Sequence, residues 1–491
     1  MEEMHFNKQK TMTGLFWSAT DIFANSGIQF IIQIILARLL LPEHFGVIGM
    51  VLVLNAISTS LVDCGFSQAL IRDQDTSQAD YSTIFHFNLI ISILIYFVLY
   101  VSAPFVSRFF STPQLIEIIR VLSITLIITS LAIIQRVKLT KMLDFKTLAK
   151  VKFIAVFTSG SISILMAFLG FGVWSLVANM IVLQFIQTIL LWCFNRWIPS
   201  LTFNMKSFKK FFRFGYKLLI SGIIDSIYNN LYYLVIGKLY TATQLGYYSN
   251  AERLRDMSSL PIVATLQRVT YPVLSRTQDD EERLKSVFKN MIKITSFINF
   301  PLMIGIAVIA TPLFQVLFGE KWLPSVHYFQ LLCIAGMMYP IHSLNLNVLQ
   351  VKGRSDLFLL LEVIKKVIIT LLVALSLLLK LGIIGLIWTG VISSFISLFI
   401  NTYYSGRLIG YSTKNQLKDL FPMFSISILM GCVVFVSGYI LPDDYLIKLI
   451  CQICIGISVY ILASGIFRIR QLMDLYQLIF PFILKLKMLN R

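Results

Sequence analysis

Arg253 and Arg268 are the residues best suited by type and position to bind an anion. At 100° per residue they lie about 60° apart on one helix, on a face that also holds Asp256, Gln267 and Tyr271. A guanidinium group binds phosphate oxygens through two parallel hydrogen bonds. We therefore expect both arginines to contact a diphosphate. The alternative is that they form internal ion pairs that fix helix packing.

Two further basic residues are weaker candidates for the same role. Arg255 falls on a different part of the helix, close to Glu252, and these two are expected to pair with each other or to face a neighbouring helix. Lys217 lies near the end of a hydrophobic stretch. A long amine there either reaches a diphosphate or extends to the lipid headgroups.

Carboxylate, amide and hydroxyl side chains form stripes on other hydrophobic stretches, at four-residue spacing. One stripe is Asn55, Thr59 and Asp63, and another is Thr389, Ser393, Ser397 and Asn401. Polar groups at this spacing share one helix face, and an acid in hydrocarbon is costly, so the stripes should face a wet cavity or partner helices. Each acid could be a cation or proton site, the partner of an arginine, or a buried protonated group. The candidate cavity and ion-coupling residues are Asp21, Asn25, Asp63, Asp225, Asn229 and Asp256.

The first of these stretches occurs twice. Residues 13–46 resemble residues 214–246 after a shift of 200, so that Asn25 matches Asp225 and Gly46 matches Gly246. A second similarity relates Phe171-Gly172-Val173-Trp174-Ser175-Leu176 to Leu381-Gly382-Ile383-Ile384-Gly385-Leu386, at a shift of 210. The repeat predicts two lobes with the same topology, related by a pseudo-twofold axis normal to the membrane, around one cavity.

Composition places these stretches in a membrane. The chain is 57% hydrophobic and only 13% charged, with a mean hydropathy of +0.78, and its apolar runs approach the 20 residues that span a bilayer. We predict an all-α polytopic membrane protein with two six-helix lobes and an extra C-terminal helix pair. The fourteen predicted spans are 13–36, 46–70, 82–104, 114–135, 151–169, 173–194, 211–236, 245–274, 287–311, 324–350, 358–379, 382–404, 418–440 and 445–466.

The distribution of basic residues predicts the orientation. With alternating connections, 32 of the 42 Lys and Arg residues fall on the side that holds both termini and six on the other side. The positive-inside rule places the first side in the cytoplasm. The predicted domains are a first lobe at 1–200, a second lobe at 201–411, and the extra pair with an interfacial cytoplasmic tail at 412–491. The connection 195–217 is the predicted linker between the lobes.

Several kinds of chemistry are disfavoured. The sequence has no G-x-x-x-x-G-K-[ST] motif for ATP, no HExxH or GxSxG motif, and five histidines without metal-ligand spacing. Cys451 and Cys454 form a CxxC pattern, which inside a span favours simple packing. We expect no cofactor, no metal, no catalytic residue and no nucleic-acid partner, since the basic residues fall between spans. Uphill work would need an ion gradient or consumption of the product.

Four segments carry a resemblance to a known family: Ala37–Leu40 with Pro42 and Phe45-Gly46, Asp63–Phe66 with Ala69–Ile71, Gly246–Arg255, and Tyr271–Arg276. In these segments the sequence resembles the polysaccharide-export branch of the multidrug/oligosaccharidyl-lipid/polysaccharide flippases, which includes the Wzx-type O-antigen and teichuronic acid exporters. The resemblance covers about residues 10–410. It implies two six-helix lobes, alternating access, a cavity that is often cationic, and a polyprenyl-diphosphate-linked oligosaccharide as cargo.

Two other functions compete with a flippase. An exporter of small organic cations would need uncompensated Asp or Glu in its cavity, whereas span eight offers arginines. A membrane glycan polymerase or glycosyltransferase usually needs a large outer loop with catalytic acids or arginines. Here the outer connections are short, and their only acidic pair is Asp443-Asp444. The expected partners are the lipid-linked oligosaccharide, membrane lipids and Na⁺ or H⁺. The protein is expected to act as a monomer, alone or with polysaccharide assembly machinery.

The orientation predicts which positions an impermeant thiol reagent can reach in intact cells. In a cysteine-free background, single cysteines at Glu43, Thr243 and Asp443 should be labelled from outside, because their connections lie on the outer face. Cysteines at Lys141 and Asp280 should react only after the membrane is opened. Labelling of these two in intact cells would contradict the predicted orientation.

Overall fold

The structure is a computed structural model. It describes residues 25–473, without the side chains of residues 260, 262–269, 271 and 272. Within these residues the secondary structure is helical and contains no strand. The chain divides into two compact units, Met1–Ser249 and Asn250–Arg491, and each is described separately. The predicted lobe boundaries at 200 and 411 remain predictions.

Among its described residues, the first unit holds ten helices and the start of α11, which continues into the second unit. The segment between α8 and α9 is irregular. The helices are α1 Asn25–Leu39, α2 Pro42–Asp63, α3 Phe66–Arg72, α4 Gln78–Phe110, α5 Leu115–Leu122, α6 Ile124–Lys141, α7 Phe145–Phe168, α8 Val173–Phe194, α9 Met205–Asn229, α10 Leu231–Leu239 and α11 Ala242–Arg276.

The second unit continues with eight further helices and one short 3₁₀ helix, Glu320–Trp322. Its core packs α12 against α18, with α14, α15 and α19 around them. The helices are α12 Glu281–Val308, α13 Ala310–Leu317, α14 Ser325–Gly336, α15 Tyr339–Val351, α16 Ser355–Leu378, α17 Gly382–Leu408, α18 Thr413–Ile440 and α19 Tyr445–Ile466.

The predicted all-α polytopic membrane fold is confirmed. Among the described residues, 10 helices are long and apolar enough to cross a membrane, and the bent pair α9–α10 raises the number to 11. Each predicted span overlaps one helix or two consecutive helices. The remaining three are α1, which is described only from residue 25, α11, whose polar and charged side chains lower its hydropathy, and α16, which is apolar but carries Glu362, Lys365 and Lys366 close together.

Helix ends follow local chemistry. Ser77 opens α4 with its side chain accepting from the backbone N–H of Asp80, and the Asp80 carboxylate in turn accepts from the backbone N–H of Ser77. After Asp63 the backbone turns left-handed at Cys64 (φ 48) and Gly65 (φ 71), which ends α2 and starts α3. This break keeps Asp63 at a helix end, where its carboxylate can reach the next helix.

The segment between α8 and α9 is held on the first unit. The indole N–H of Trp197, which is buried, donates to Oε1 of Gln78 at 2.6 Å, and Nε2 of Gln135 donates to the Trp197 carbonyl at 2.9 Å. Farther along, the backbone N–H of Asn204 donates to Oγ1 of Thr83 at 3.0 Å. The predicted linker is therefore anchored to α4 and α6. It is also shorter than predicted, because α9 begins at residue 205 rather than 211.

Two glycines at equivalent positions of the repeat mark a close crossing of α2 and the start of α11. A Cβ added to Gly46 would lie 1.7 Å from the carbonyl oxygen of Ala242, and one added to Gly246 would lie 1.8 Å from that of Pro42. Ala242 lies four positions before Gly246, and Pro42 lies four positions before Gly46. The two contacts are therefore equivalent in the repeat. Only glycine allows two helix backbones to approach this closely.

We expect Gly46→Ala and Gly246→Ala each to force this crossing apart, because the clashing atoms are backbone atoms that cannot rotate away. Overpacking of this kind costs about 1–3 kcal/mol. The melting temperature of the purified protein and its amount in the membrane should both fall. Gly465→Ala is the matched control, since nothing lies within 4 Å of its added Cβ. Equal melting temperatures for all three variants would contradict the assignment.

Candidate functional site

A polar cavity of about 710 Å³ lies within the first unit. It is walled by the second half of α2, by α3 and α6, and by the junction between α9 and α10. A cavity of this size is in the range of sites that bind small molecules. Its lining residues are Leu52, Asn55, Ala56, Thr59, Ser60, Asp63, Ser67, Thr129, Ile133, Arg136 and Asn230.

The α2 wall carries the stripe that the sequence predicts. Asn55, Thr59 and Asp63 are spaced by four residues and all line the cavity, as helical geometry requires. The Thr59 hydroxyl donates to the Asn55 carbonyl at 2.7 Å, so that its oxygen can still accept a hydrogen bond from the cavity. The stripe therefore offers a hydroxyl, an amide and a carboxylate to whatever occupies the cavity.

Asp63 and Arg136 are the charged pair of this cavity. The Asp63 carboxylate accepts hydrogen bonds from the backbone N–H and the hydroxyl of Ser67, the N–H bond being 3.3 Å long. Arg136, on α6, attracts Asp63 electrostatically, and its guanidinium also donates to Oε1 of Gln187 at 3.4 Å. Arg136 is exposed while Asp63 is half-buried. The arginine can therefore meet an incoming anion.

A broken helix that packs against α2 contributes Asn230 to the cavity lining. α9 and α10 meet at Asn230 with a bend of 47°. The Asn230 side-chain amide donates to the Ser226 carbonyl at 2.8 Å, and the backbone N–H of Asn230 donates to the same oxygen at 3.2 Å. The Ser226 hydroxyl in turn lies 3.0 Å from that of Ser60 on α2. Discontinuous membrane helices of this kind commonly line the binding sites of transporters.

The stripe predicted for the second repeat copy lies elsewhere. Lys217, Asp225 and Asn229 are on the exposed side of α9 and do not line this cavity. The face of α9 that packs on α2 instead carries small residues, among them Ser226. Asn230, one position after the predicted Asn229, reaches the cavity because the bend falls there.

Arg255 and its neighbours form a buried ion cluster in the second unit. The guanidinium lies 2.6 Å from the Asp256 carboxylate and 3.5 Å from that of Glu252, and it stacks 5.6 Å from the centre of the Tyr339 ring. The predicted pairing of Arg255 with Glu252 is confirmed. Asp256, which the helical projection placed on the face of Arg253, is instead held by the adjacent arginine. Among the described residues no acidic group pairs with Arg253, which is half-buried.

Hydroxyl and amide groups on α17 link neighbouring helices in the second unit. Asn401 donates to Nδ1 of His342 on α15 at 3.4 Å, and the Ser394 hydroxyl lies 3.1 Å from Nε2 of the same ring. With Nδ1 accepting, the proton of the neutral imidazole lies on Nε2. This part of the α17 stripe therefore joins helices, as polar stripes in membranes often do.

Some predicted residues cannot be placed. Asp21 lies outside the described residues, and so do the side chains of Arg268, Gln267 and Tyr271. Asn25 is the first described residue and is buried at the start of α1. The tail predicted at the membrane interface falls largely beyond residue 473.

Arg136 is the functional candidate that the sequence interpretation missed. It was assigned to a cytoplasmic connection because the predicted span ended at residue 135, whereas α6 continues to Lys141. A signal was present: Thr129, Ile133 and Arg136 follow the spacing of one helix face, and all three line the cavity. The predicted connections hold 32 and six of the 42 Lys and Arg residues, which leaves four within the predicted spans, and Arg136 raises that number.

Comparison with known proteins gives a family and a fold. The family model described as "Polysaccharide biosynthesis protein" matches residues 35–327 of the chain. The teichuronic acid biosynthesis protein TuaB of Bacillus subtilis is 26% identical over 87% of this chain and 89% of its own length. The succinoglycan biosynthesis transport protein ExoT of Rhizobium meliloti is 25% identical over 64% of each chain.

A solved structure shows the same architecture. The lipid II flippase MurJ, in an inward closed conformation, superimposes with a TM-score of 0.75 at 16% sequence identity. The match covers 92% of this chain and 98% of that one. At this identity the likeness establishes the fold, and it agrees with the helical membrane architecture described above.

The ion cluster predicts different effects for two arginines on the same helix. Arg255→Ala removes the partner of Asp256 and Glu252 and should cost about 2 kcal/mol, which is typical for charge-assisted hydrogen bonds. The melting temperature and the amount of protein in the membrane should fall. Arg253→Ala is the matched control and should change neither. A melting temperature that is equally low in both variants would show that the cluster has no special role in stability.

Proposed function

The chain belongs to the family of polysaccharide biosynthesis proteins, and we propose that it translocates a polyprenyl-diphosphate-linked oligosaccharide across the bacterial cytoplasmic membrane by alternating access. The observation that carries the proposal is the cavity of the first unit, in which Asp63 faces Arg136 between membrane helices. An arginine in such a position is costly and is kept mainly where it does work.

The relatives support a transport role in polysaccharide assembly. One of the two described above acts in teichuronic acid biosynthesis, and the other is a succinoglycan biosynthesis transport protein. The similar solved structure is that of a lipid II flippase.

The charges of the cavity suit the diphosphate of such a carrier. Without cargo, Arg136 is balanced by Asp63 across a cavity of about 710 Å³. A phosphate that enters competes for the guanidinium, which binds phosphate oxygens in a bidentate way. Asp63 then loses its counter-charge and retains only its hydrogen bonds from Ser67. Hydroxyls and amides on the α2 wall are available to the first sugar.

The same exchange provides a way to couple transport to an ion gradient. A carboxylate that loses its arginine inside the membrane gains by binding H⁺ or Na⁺. Cargo at Arg136 and an ion at Asp63 would then favour the same state of the first unit. Asp225, Asp256 and Asp21 remain further candidates for ion coupling from their positions in the sequence.

Arg253 and Arg268 are proposed as a second contact for the diphosphate. Arg253 is half-buried and has no acidic partner among the described residues, whereas Arg255 is neutralised by Asp256 and Glu252. Arg255 therefore acts in stability, and Lys217, on the exposed side of α9, is a secondary contact.

An exporter of organic cations fits the cavity less well. A cation site needs an acid without a counter-charge, and Asp63 shares its cavity with the guanidinium of Arg136. A glycan polymerase or glycosyltransferase is disfavoured by the short outer connections. The relatives described here carry the names of biosynthesis and transport proteins, and the proposed protein acts as a transporter rather than an enzyme.

The proposed setting is the cytoplasmic membrane, with both termini in the cytoplasm. There the protein acts as a monomer that receives the lipid-linked oligosaccharide from the assembly enzymes. Na⁺ or H⁺ is the coupling partner, and no cofactor or nucleic acid takes part.

Export per molecule tests the proposal. Arg136→Ala should abolish export of the saccharide, because losing a hydrogen-bonded charge pair costs about 2–5 kcal/mol of binding. Arg136→Lys should restore only part of the export, since an amine keeps the charge but lacks the bidentate geometry.

Asp63→Asn should slow export and reduce its dependence on the ion gradient. Arg253→Ala should also stop export without lowering the amount of protein. The measurement is lipid-linked saccharide that accumulates inside cells, normalised to membrane protein.

The matched control is Arg120→Ala. Arg120 lies on α5, outside this cavity, with its guanidinium 4.4 Å from the centre of the Tyr100 ring. It should leave export per molecule unchanged. Normal export per molecule in Arg136→Ala would end the assignment of this cavity to the cargo.

A further inference from the structure

A second concave site lies in the first unit, where α2, α5 and α8 begin. Its volume is about 480 Å³, and four of its residues, Phe171, Gly172, Val173 and Trp174, belong to a segment that the sequence repeat singles out. Nothing in the proposed function uses it. Its lining residues are His44, Pro113, Gln114, Glu117, Ile118, Gly170, Phe171, Gly172, Val173 and Trp174.

We propose that this pocket binds the oligosaccharide portion of the cargo. The proposal rests on the proposed function for the existence of such a cargo, and it assigns a new contact for the sugars. The pocket combines what saccharide binding needs: a large aromatic surface for the apolar faces of sugar rings, and a few planar polar groups for their hydroxyls.

The polar groups of the pocket are available to a ligand. Among the described residues, the indole N–H of Trp174 has no acceptor, whereas that of Trp192 donates to the Leu131 carbonyl and that of Trp197 donates to Gln78. The Gln114 amide and the Glu117 carboxylate likewise have no side-chain partner in the described part of the chain. A half-buried indole N–H usually finds a partner, so Trp174 has a donor to offer.

The backbone of the pocket is shaped around a histidine. Gly172 has φ 54 and ψ −126, and a Cβ there would lie 3.3 Å from Nε2 of His44. The backbone N–H of Leu41 donates to Nδ1 of His44 at 3.4 Å, so the proton of the neutral ring lies on Nε2. The protonated Nε2 side of His44 thus lies in the pocket wall, which also holds Glu117.

The ligand class follows from the charges. No Lys or Arg lines the pocket, and its one carboxylate disfavours a phosphate. Hydroxyl-rich neutral sugars can donate to Glu117 and accept from the indole and the amide. A headgroup phosphate belongs instead at Arg136, so the two sites of the first unit divide the cargo between them.

The pocket is also specific to the first copy of the repeat. At the shift of 210 residues, Trp174 corresponds to Ile384 and Phe171 to Leu381, and at the shift of 200 residues His44 corresponds to Gln244. If these aromatic residues served only as anchors at the membrane surface, the equivalent positions of the second copy should carry them too. The aromatic residues therefore follow the pocket and not the membrane surface.

Binding of soluble sugar by the purified full-length protein tests the proposal. The probe is an oligosaccharide fraction prepared from the host's own surface polysaccharide by partial hydrolysis, measured by titration calorimetry. Wild type should bind it. Trp174→Ala should weaken binding about tenfold. Trp174→Phe should weaken it less, since phenylalanine retains an aromatic ring. The double variant Gln114→Ala/Glu117→Gln, which keeps the packing of Trp174, should also weaken binding.

Trp388→Ala is the matched control, because Trp388 is an exposed tryptophan of the second unit that does not line this pocket. It should bind like wild type, and melting temperatures identify variants that do not fold. The proposal would be overturned if wild type did not bind the sugar. It would also be overturned if Trp174→Ala and the double variant Gln114→Ala/Glu117→Gln bound it as tightly as wild type. Sugar binding is measured without translocation, so the two proposals can fail separately. If wild type binds sugar but Arg136→Ala exports normally, the function proposed for the cavity at Arg136 is wrong and the sugar pocket stands.

Discussion

The close crossing of α2 and the start of α11 is the constraint on which the first unit depends. Gly46 and Gly246 bring the two backbones so near that a single methyl group would overlap a carbonyl oxygen. In a membrane, where burial of apolar surface does not drive helices together, such close packing is a main source of association. The crossing fixes one end of α2, and with it the direction in which the rest of α2 presents its polar stripe.

Most of the fold could be predicted from the sequence because hydropathy in a bilayer is a strong constraint. Each unbroken apolar run had to become a helix, since a backbone in lipid must satisfy its own hydrogen bonds. The same argument loses precision at helix ends. The span predicted at 114–135 leaves Arg136 in a connection, whereas α6 continues to Lys141 and brings Arg136 to a polar cavity.

The site residues were predictable where an ideal helix holds and not where it fails. Asn55, Thr59 and Asp63 line one cavity, as a regular α2 requires. Asn230 lines the cavity in place of the predicted Asn229, because the helix bends by 47° at this point. No sequence motif marks that bend. Asp256 pairs with Arg255 because a long arginine side chain can curve to its neighbour, which a projection of Cα positions cannot represent.

The two sites of the first unit are joined by one element. His44 lies in the first turn of α2 and Asp63 at its last residue, about 28 Å apart by helical rise, which is close to the thickness of the hydrocarbon core. A lipid-linked oligosaccharide has its charge at the diphosphate and its hydroxyls in the sugars beyond it. At one end of α2 lies the charged cavity, and at the other lies the aromatic pocket proposed for neutral sugars. The two sites follow one another in the same order as the diphosphate and the sugars. Because α2 is rigid and anchored at Gly46, any movement of the crossing moves both sites together.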